Sequence, residues 1–152
     1  MKHRPSHLVF VAACLAWPVS SVAQTTQAQC ETVTLHSTNS GSGIDRRIPR
    51  EIAVQVSKPP FSAYNSWRML DRSTRAATAG QPFEVQLPSG RAVRVTWRPG
   101  PRNDRALLDF ALLASGNATP LAQTSVRWGE FFIIVAHNYQ GGNLALATRC
   151  SR

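Results

Sequence analysis

The stretch GEFFIIVAHNYQGGNLALATRC, residues 129–150, decides how the C-terminal part of the chain folds. An aliphatic run stands before a Gln-Gly-Gly-Asn turn signal, and an alternating apolar segment follows it, which is typical of two antiparallel strands joined by a hairpin turn. The first segment is apolar enough to be buried on both faces. The stretch therefore predicts a terminal β-hairpin, with Gly141 and Gly142 turning the chain and Cys150 directly after the second strand.

Cys150 has one evident partner, Cys30, near the start of the region that remains after a leader is removed. In an exported protein an isolated pair of cysteines most often forms a disulfide. Neither a CxxC spacing nor a His-rich neighbourhood marks the pair as catalytic or as metal ligands. We expect a structural disulfide between Cys30 and Cys150, and we predict no metal site and no cofactor.

Residues 1–23 have the three parts of a secretory signal: a basic start with Lys2 and Arg4, an apolar run, and the small-x-small site SVA. The apolar run is about ten residues long, half of what a membrane-spanning helix needs. A rival route is offered by VAAC, residues 11–14, which resembles a lipobox and would make Cys14 a lipidated N-terminus. The shortness of the run before Cys14 favours the ordinary signal. We therefore expect a periplasmic or extracellular protein, with lipid anchoring through Cys14 as the alternative.

The rest of the chain has the size of one domain. Residues 24–29 are polar and predict a disordered lead-in, so we expect a single β-rich domain over residues 30–152. Residues 32–36 alternate as a strand does. A Gly- and Ser-rich loop follows this strand before the next periodic segment.

One amphipathic helix is predicted near the N-terminus of this domain. Ile44, Ile48, Ile52 and Val56 recur every four residues, which places them on one helix face. Pro49 fits a first turn but not a helix interior, so the regular helix is expected to begin near Ile48. The two prolines that follow Lys58 end it.

The remainder reads as a succession of short strands. The clearest pair flanks LPSGR, residues 87–91, whose proline and glycine stand where a tight turn uses them. The segment 106–114 fits a helix or a strand, and its neighbours favour the strand. The fold class that follows is α+β: a mainly antiparallel, sandwich-like structure with one helix, closed by the terminal disulfide. Strands are expected at residues 66–70, 74–78, 83–87, 91–97, 106–114, 121–128, 130–136 and 144–148.

The chain is basic, with a formal net charge of +9 that falls to +7 when Lys2 and Arg4 are removed with the leader. A positive surface attracts anionic partners such as lipopolysaccharide or another envelope polymer. The arginines are scattered in groups of three, however, and no run of like charges marks a binding tail. A solubilising surface is the favoured interpretation, an electrostatic binder of anionic envelope polymer is the alternative, and no specific nucleic-acid partner is predicted.

Four segments together carry a resemblance: SGSGID, PPFSAYNSWRMLDR, QLPSGRAVRVTW and the terminal stretch quoted above. Over roughly residues 33–148 the chain resembles a group of small exported bacterial proteins of uncharacterised function. The shared pattern is a Gly-rich loop before an amphipathic helix, a Pro-Phe-x-x-Tyr segment, a Leu-Pro-x-Gly-Arg hairpin and a terminal Gly-Gly hairpin. The resemblance implies export and this architecture, and it transfers no catalytic residue.

Catalytic candidates are few. After the leader only His36 and His137 remain, and His137 is the single candidate catalytic residue because a histidine at a strand end can act as a general base. It would need a nucleophile or an orienting carboxylate from elsewhere in the chain. No nucleophile elbow, HExxH motif or cysteine nucleophile motif is present. We favour a hairpin residue that hydrogen-bonds the turn, and keep an envelope hydrolase using His137 as the alternative.

The segment PPFSAYNSW, residues 59–67, is the most aromatic connector. If exposed, Phe61, Tyr64 and Trp67 beside Arg68 would form an adhesive patch for protein or glycan. The other interpretation, which we favour, is that Phe61 and Trp67 fill the junction between helix and sheet. The four residues are the candidate binding residues of a non-catalytic exported binding or envelope-assembly module, whose partner is expected to be an envelope protein or an anionic envelope polymer.

Overall fold

The computed structural model describes residues 26–152. The predicted signal in residues 1–23 and the lipobox cysteine Cys14 lie outside the described residues, so both stay predictions. Within the described part, two antiparallel sheets and one short helix form. The elements are β1 (Gln27–Thr38), β2 (Gly43–Ile44), α1 (Arg50–Val56), a 3₁₀ turn (Phe61–Ala63), β3 (Ser66–Thr78), β4 (Phe83–Gln86), β5 (Ala92–Pro99), β6 (Arg105–Ala114), β7 (Asn117–Arg127), β8 (Phe132–Tyr139) and β9 (Gly142–Ser151).

The strands form two sheets, which we call A and B. Sheet A has the order β2-β3-β1-β9-β8, and sheet B has the order β4-β5-β6-β7. All neighbours are antiparallel except β2, which runs parallel to β3. Sheet B is a simple meander. Sheet A places β1, the first strand, beside β9, the last strand, so this central pair forms only when the two ends of the described chain meet.

Two hydrophobic clusters hold three layers together. One cluster lies between the sheets and includes Trp97 of sheet B and Leu146 of sheet A, both fully buried. The indole nitrogen of Trp97 donates to the carbonyl of Ala77 across this interface, at 3.0 Å. The second cluster lies on the other face of sheet A, beneath α1, whose Ile52 and Val56 are buried. The predicted fold class, a sandwich-like α+β fold with one helix near the N-terminus, is confirmed.

The alternation of β9 explains how sheet A serves both clusters. Leu144 and Leu146 face the inter-sheet cluster, and Ala145 and Ala147 face the helix. Successive side chains of a strand point to opposite faces, so a segment covered on both sides, such as residues 144–147, is apolar at each position. The two alanines lie on the helix side of sheet A, where their small side chains leave room for α1.

The predicted disulfide is present. Cys30 of β1 and Cys150 of β9 are direct cross-strand partners, with their Cα atoms 4.1 Å apart. Both cysteines are buried in the inter-sheet cluster. The bond therefore joins the first and last strands at a point where they are already paired.

Several predicted boundaries were wrong; β7, for example, begins at Asn117 rather than at residue 121. Gln27–Gln29 were expected in a disordered lead-in, but they begin β1, because their backbone pairs with β3 and Ala28 enters the core. The predicted strands 66–70 and 74–78 are one strand, β3, because β1 pairs with its whole length across a single register shift. The helix begins at Arg50 rather than near Ile48.

The helix is shorter than its periodicity predicts because of Pro49. This residue stands at the helix N-cap with an extended backbone, φ −51° and ψ 141°, so regular helix starts after it. Ile48 is buried with the helix face, but Ile44 is 37 % exposed and belongs to β2, where it pairs with Trp67. The four-residue spacing of apolar residues therefore extends beyond the helix, by coincidence, to Ile44 in β2.

Both predicted hairpins are confirmed. The segment LPSGR joins β4 and β5, with the amide of Leu87 donating to the carbonyl of Arg91 at 2.8 Å. In the terminal hairpin Tyr139 pairs with Gly142, so the two turn residues are Gln140 and Gly141, with φ of 43° and 74°. Two positive values are the mark of a type I′ turn, which suits the twist of paired strands.

Gly142 was predicted to be a turn residue, but it lies in a strand. It is the first residue of β9, and a Cβ atom built on it would overlap the carbonyl oxygen of Ser37 in β1. Glycine is required there because two backbones approach closely.

Removal of the disulfide should destabilise the fold without changing it. We expect the double variant Cys30→Ser with Cys150→Ser to lose about 2–5 kcal/mol of unfolding free energy, because the closing bond restricts a long loop of the unfolded chain. Urea denaturation followed by tryptophan fluorescence measures the loss. Wild-type protein reduced before denaturation should show the same loss, and equal stability of the oxidised and reduced proteins would contradict the expectation.

Candidate functional site

The aromatic connector meets the terminal hairpin at one end of the sandwich. The side-chain amide of Asn143 donates to the hydroxyl of Tyr64 at 2.8 Å, across 79 residues of sequence. The ring of Tyr64 stands edge-on to the indole of Trp67, with centroids 5.8 Å apart. The tyrosine is therefore fixed at both its ring and its hydroxyl.

A cleft of about 490 Å³, which we call the tip cleft, opens beside this hydrogen bond. Its volume is in the range typical of small-molecule sites. Among the described residues, no arginine, lysine, aspartate or glutamate contributes to its lining. The lining residues are Asn39, Tyr64, Asn138, Tyr139, Gln140, Gly141, Gly142 and Asn143.

The polar groups of the tip cleft are neutral donors and acceptors. Side-chain amides supply both an NH₂ group and a carbonyl oxygen. The hydroxyl of Tyr64 accepts a hydrogen bond from Asn143 and keeps its own proton for donation. Asn39 stabilises the entrance, since its Oδ1 accepts the backbone N–H of Asn65 at 3.2 Å. The lining groups can therefore donate hydrogen bonds to an uncharged polar molecule and accept them from it.

The other face of the same hairpin carries the predicted histidine. His137 Nδ1 lies 2.7 Å from the carbonyl oxygen of Asn138, which can only accept, so Nδ1 bears the proton of the neutral ring. His137 Nε2 lies 2.8 Å from the hydroxyl of Ser89, in the turn between β4 and β5. With this tautomer Nε2 accepts the serine proton, which is the arrangement of a serine beside a general base.

The second histidine lies at the same end. His36 and His137 are both in register with Leu144, from the two strands on either side of β9. His36 Nε2 donates to the carbonyl of Tyr139 at 3.0 Å, and its ring meets the Tyr139 ring edge-on. The described hydrogen bonds of both histidines go to hydroxyl or backbone groups, and no aspartate or glutamate is among them.

The structure separates the four predicted binding residues. Trp67 is 1 % exposed and packs in the cluster beneath the helix, with Phe61 edge-on to it at 6.0 Å. The exposed aromatic patch was therefore wrong for Trp67, and the half-buried Phe61 fills the helix–sheet junction with it. Tyr64 alone reaches the tip cleft, while Arg68 lines a separate groove beside Asp45.

Asp45, one of the residues that line this groove, forms an ion pair with Arg47, which we call the Asp45–Arg47 clasp. The Arg47 guanidinium and backbone N–H both donate to the carboxylate of Asp45, and the backbone N–H of Met69 donates to it at 3.3 Å. These hydrogen bonds hold the pKa of Asp45 far below its ordinary value, and the same carboxylate raises the pKa of Arg47. Arg47 also donates to the carbonyl of Met69, at 3.0 Å. Both outward backbone groups of Met69 are thus satisfied by side chains.

Positive charge is spread over both sheets. Many arginines are neutralised by nearby carboxylates, and the partners lie on different strands and loops. Exposed pairs of this kind contribute little to stability, whereas Arg72 and Arg149 share the buried carboxylate of Glu31. The paired arginines are Arg47, Arg72, Arg94, Arg98, Arg102, Arg127 and Arg149.

Sequence reasoning missed Ser89 and Asn143 as site residues. Ser89 lies 48 residues from His137, and its only signal is the LPSGR turn that carries it. Asn143 was assigned to a turn signal, and nothing in the sequence points it at Tyr64.

Comparisons of the chain with protein-family models, with curated proteins and with solved structures found no match. The resemblance to small exported bacterial proteins therefore stays a prediction. Among residues 26–152, no helix is both long and apolar enough to cross a membrane. The same residues hold no cluster of three or more His, Cys, Asp or Glu side chains suited to a metal ion.

Two neighbouring substitutions distinguish a buried aromatic residue from a surface residue. We expect Trp67→Ala to lose about 3–5 kcal/mol of unfolding free energy, because it empties the cluster beneath the helix. Arg68→Ala should stay within about 0.5 kcal/mol of wild type, as exposed residues generally do. Urea denaturation of both variants tests this, and a Trp67→Ala protein of wild-type stability would contradict the assignment.

Proposed function

We propose that this chain is a non-catalytic exported binding module and that its ligand is held in the tip cleft. The observation that carries the proposal is the hydrogen bond between Asn143 and Tyr64, which fixes the hairpin against the connector beside an uncharged polar cleft. Export is supported by the Cys30–Cys150 disulfide, since such bonds persist in oxidising compartments.

The cleft is preorganised, which favours binding. The type I′ turn at Gln140 and Gly141 sets the backbone of the tip, and the close approach of Gly142 to Ser37 seats the hairpin on β1. A ligand would not have to order these groups, so less of the interaction free energy is lost on association. A rigid site of this kind favours ligand binding, as it would also favour catalysis.

The lining favours a neutral, hydroxyl-rich ligand, such as a sugar unit of an envelope polymer. Amide groups and the tyrosine hydroxyl match ligand hydroxyls as both donors and acceptors. An anionic ligand would meet no cationic side chain in the cleft. An uncharged part of an envelope polymer thus fits the cleft better than its phosphate or carboxylate groups do.

A sugar-binding test uses chitotriose, a neutral oligosaccharide, as the probe. In an amide NMR titration we expect shifts confined to Tyr64 and the tip residues 138–143. Asn143→Ala should weaken binding about five- to tenfold, because it removes one amide and releases the Tyr64 hydroxyl. The matched control Asn117→Ala, at the exposed first residue of β7 in sheet B, should bind as wild type does.

Shifts spread over other surfaces, or equal affinity of the two variants, would contradict the tip cleft as the site. Inorganic polyphosphate serves as the anionic comparison. If polyphosphate binds, chitotriose does not, and the affinity falls steeply with salt, the electrostatic binder is the better proposal.

A second candidate function, a hydrolase using His137, is supported by the 2.8 Å contact between Ser89 Oγ and His137 Nε2. In that reaction Oγ attacks an ester carbonyl carbon while its proton passes to Nε2. The leaving alkoxide then takes this proton, and water hydrolyses the acyl-serine. The carbonyl of Asn138 keeps the proton on Nδ1 and so holds the reactive tautomer.

p-Nitrophenyl acetate is the probe for this second candidate. A hydrolase using the pair should release p-nitrophenol faster than either Ser89→Ala or His137→Gln, with a loss of about a hundredfold or more in each variant. Thr96→Ala, on sheet B, is the control. Equal rates in all four proteins would leave Ser89 and His137 with the structural role of tying the two hairpins together.

A further inference from the structure

A sandwich built from two open sheets has edge strands, and three of them here carry features that discourage pairing. β4 has only four residues. β7 carries Pro120 next to a register shift against β6. β8 has a register shift between Val135 and His137. Short strands, prolines and bulges are the usual protection of free edges.

The remaining edge, that of β3, is different. β2 covers only Ser66 and Trp67, and the Asp45–Arg47 clasp occupies the backbone of Met69. A register shift lies between Met69 and Asp71. From Asp71 to Thr78 the strand then pairs regularly with β1, and within the described residues no strand lies on its other side. The outward backbone groups from Asp71 to Ala76 are therefore available to another strand, since the carbonyls of Ala77 and Thr78 already accept hydrogen bonds from Trp97 and Gln81.

The charged side chains of this part of β3 can pair with those of the same segment in a second, antiparallel copy. When two antiparallel copies pair with Ser73 opposite Ser73, Asp71 of each copy lies opposite Arg75 of the other. Directly opposite residues share a face and approach within about 5 Å. Shifting the register by two residues either way places Asp71 opposite Ser73 or Ala77 and loses both charge pairs. In the centred register no two arginines of residues 71–75 face each other.

The side chains involved are accessible. Asp71 and Arg75 are both exposed. Arg75 lies over the ring of Phe83 at 5.2 Å and makes only a long contact, 3.4 Å, with the carbonyl of Glu84. Ser73, at the centre, hydrogen-bonds Thr32 on its own sheet at 3.0 Å and leaves the edge clear.

We infer that β3 pairs edge to edge with β3 of a second copy of this chain, centred on Ser73. The strands β8-β9-β1-β3 of the two copies then form one continuous eight-stranded sheet with a twofold axis at Ser73, and β2 of each copy stays beside residues 66–67 on the same edge of β3. Such an isologous contact closes on itself, so it yields a dimer and no fibre. It lies away from the tip cleft and does not depend on the proposed function.

Analytical ultracentrifugation of the oxidised chain over a wide concentration series tests the dimer. The measurement is made at physiological ionic strength because the net positive charge of each copy repels the other at low salt. We expect a reversible monomer–dimer equilibrium. Asp71→Arg and Arg75→Asp should each weaken it about tenfold or more, since each sets two like-charged pairs across the axis.

The double variant Asp71→Arg with Arg75→Asp restores both pairs and should recover dimerisation. Glu130→Arg, in the β7–β8 loop, is the control and should dimerise as wild type does. Amide hydrogen exchange at residues 71–75 should slow as protein concentration rises. A wild type that stays monomeric, single variants that dimerise normally, or a double variant that does not recover would each overturn the inference.

Discussion

The pairing of β1 with β9, locked by the Cys30–Cys150 disulfide, is the constraint on which the rest of the structure depends. β1 lies in the middle of sheet A, and sheet A lies between the helix and sheet B, so both faces and both edges of this strand are covered. Its buried Glu31 bonds Arg149 of β9 at 2.7 Å and Arg72 of β3 at 2.6 Å. The three central strands of the sheet are thus joined by ladder hydrogen bonds, by an ion pair and by a covalent bond. Because these strands come from both ends of the described chain, the fold closes only as a whole.

The same pairing builds the end of the sandwich where the candidate sites lie. Adjacent residues of a strand point to opposite faces, so the terminal hairpin presents Asn143 on one side and His137 on the other. The first side meets Tyr64 and forms the tip cleft, and the second meets Ser89 and forms a serine–histidine pair. One hairpin therefore supports both the binding proposal and the hydrolase alternative. The binding proposal is favoured because the tip cleft is a shaped space with convergent polar groups, while neither Ser89 nor His137 lines a described pocket.

The edges of the two sheets differ in how much of their backbone is open to another strand. Three of them end early, bend or carry a proline, and the start of the fourth is closed by the Asp45–Arg47 clasp, which satisfies both backbone groups of Met69. The clasp replaces a strand by two side chains, so the ladder of β2 ends without leaving polar groups unpaired. Beyond it, the four-residue spacing of Asp71 and Arg75 suits the inferred dimer in the register centred on Ser73. Oppositely charged side chains at a fixed spacing favour the register in which they pair and disfavour shifted registers.

The sequence by itself determined the elements whose signal is local. Period-two alternation predicted β4 and β5, and LPSGR predicted the turn between them. Apolar segments around a Gly-Gly turn signal predicted the terminal hairpin, and two cysteines after the predicted leader left one pairing. Ile48, Ile52 and Val56 were correctly placed on one buried face, although Pro49 delayed the helix and Ile44 joined a strand. The sequence favoured Trp67 at the helix–sheet junction over an exposed patch, and Trp67 is buried there. Tertiary structure alone decided that Gly142 is needed against Ser37 and that Tyr64 and Ser89 reach the terminal hairpin. The physical reason is that local patterns report which face of a strand or helix is apolar, whereas the partners of a side chain depend on strand order. Strand order here follows from pairing the first strand with the last, across 120 residues of sequence.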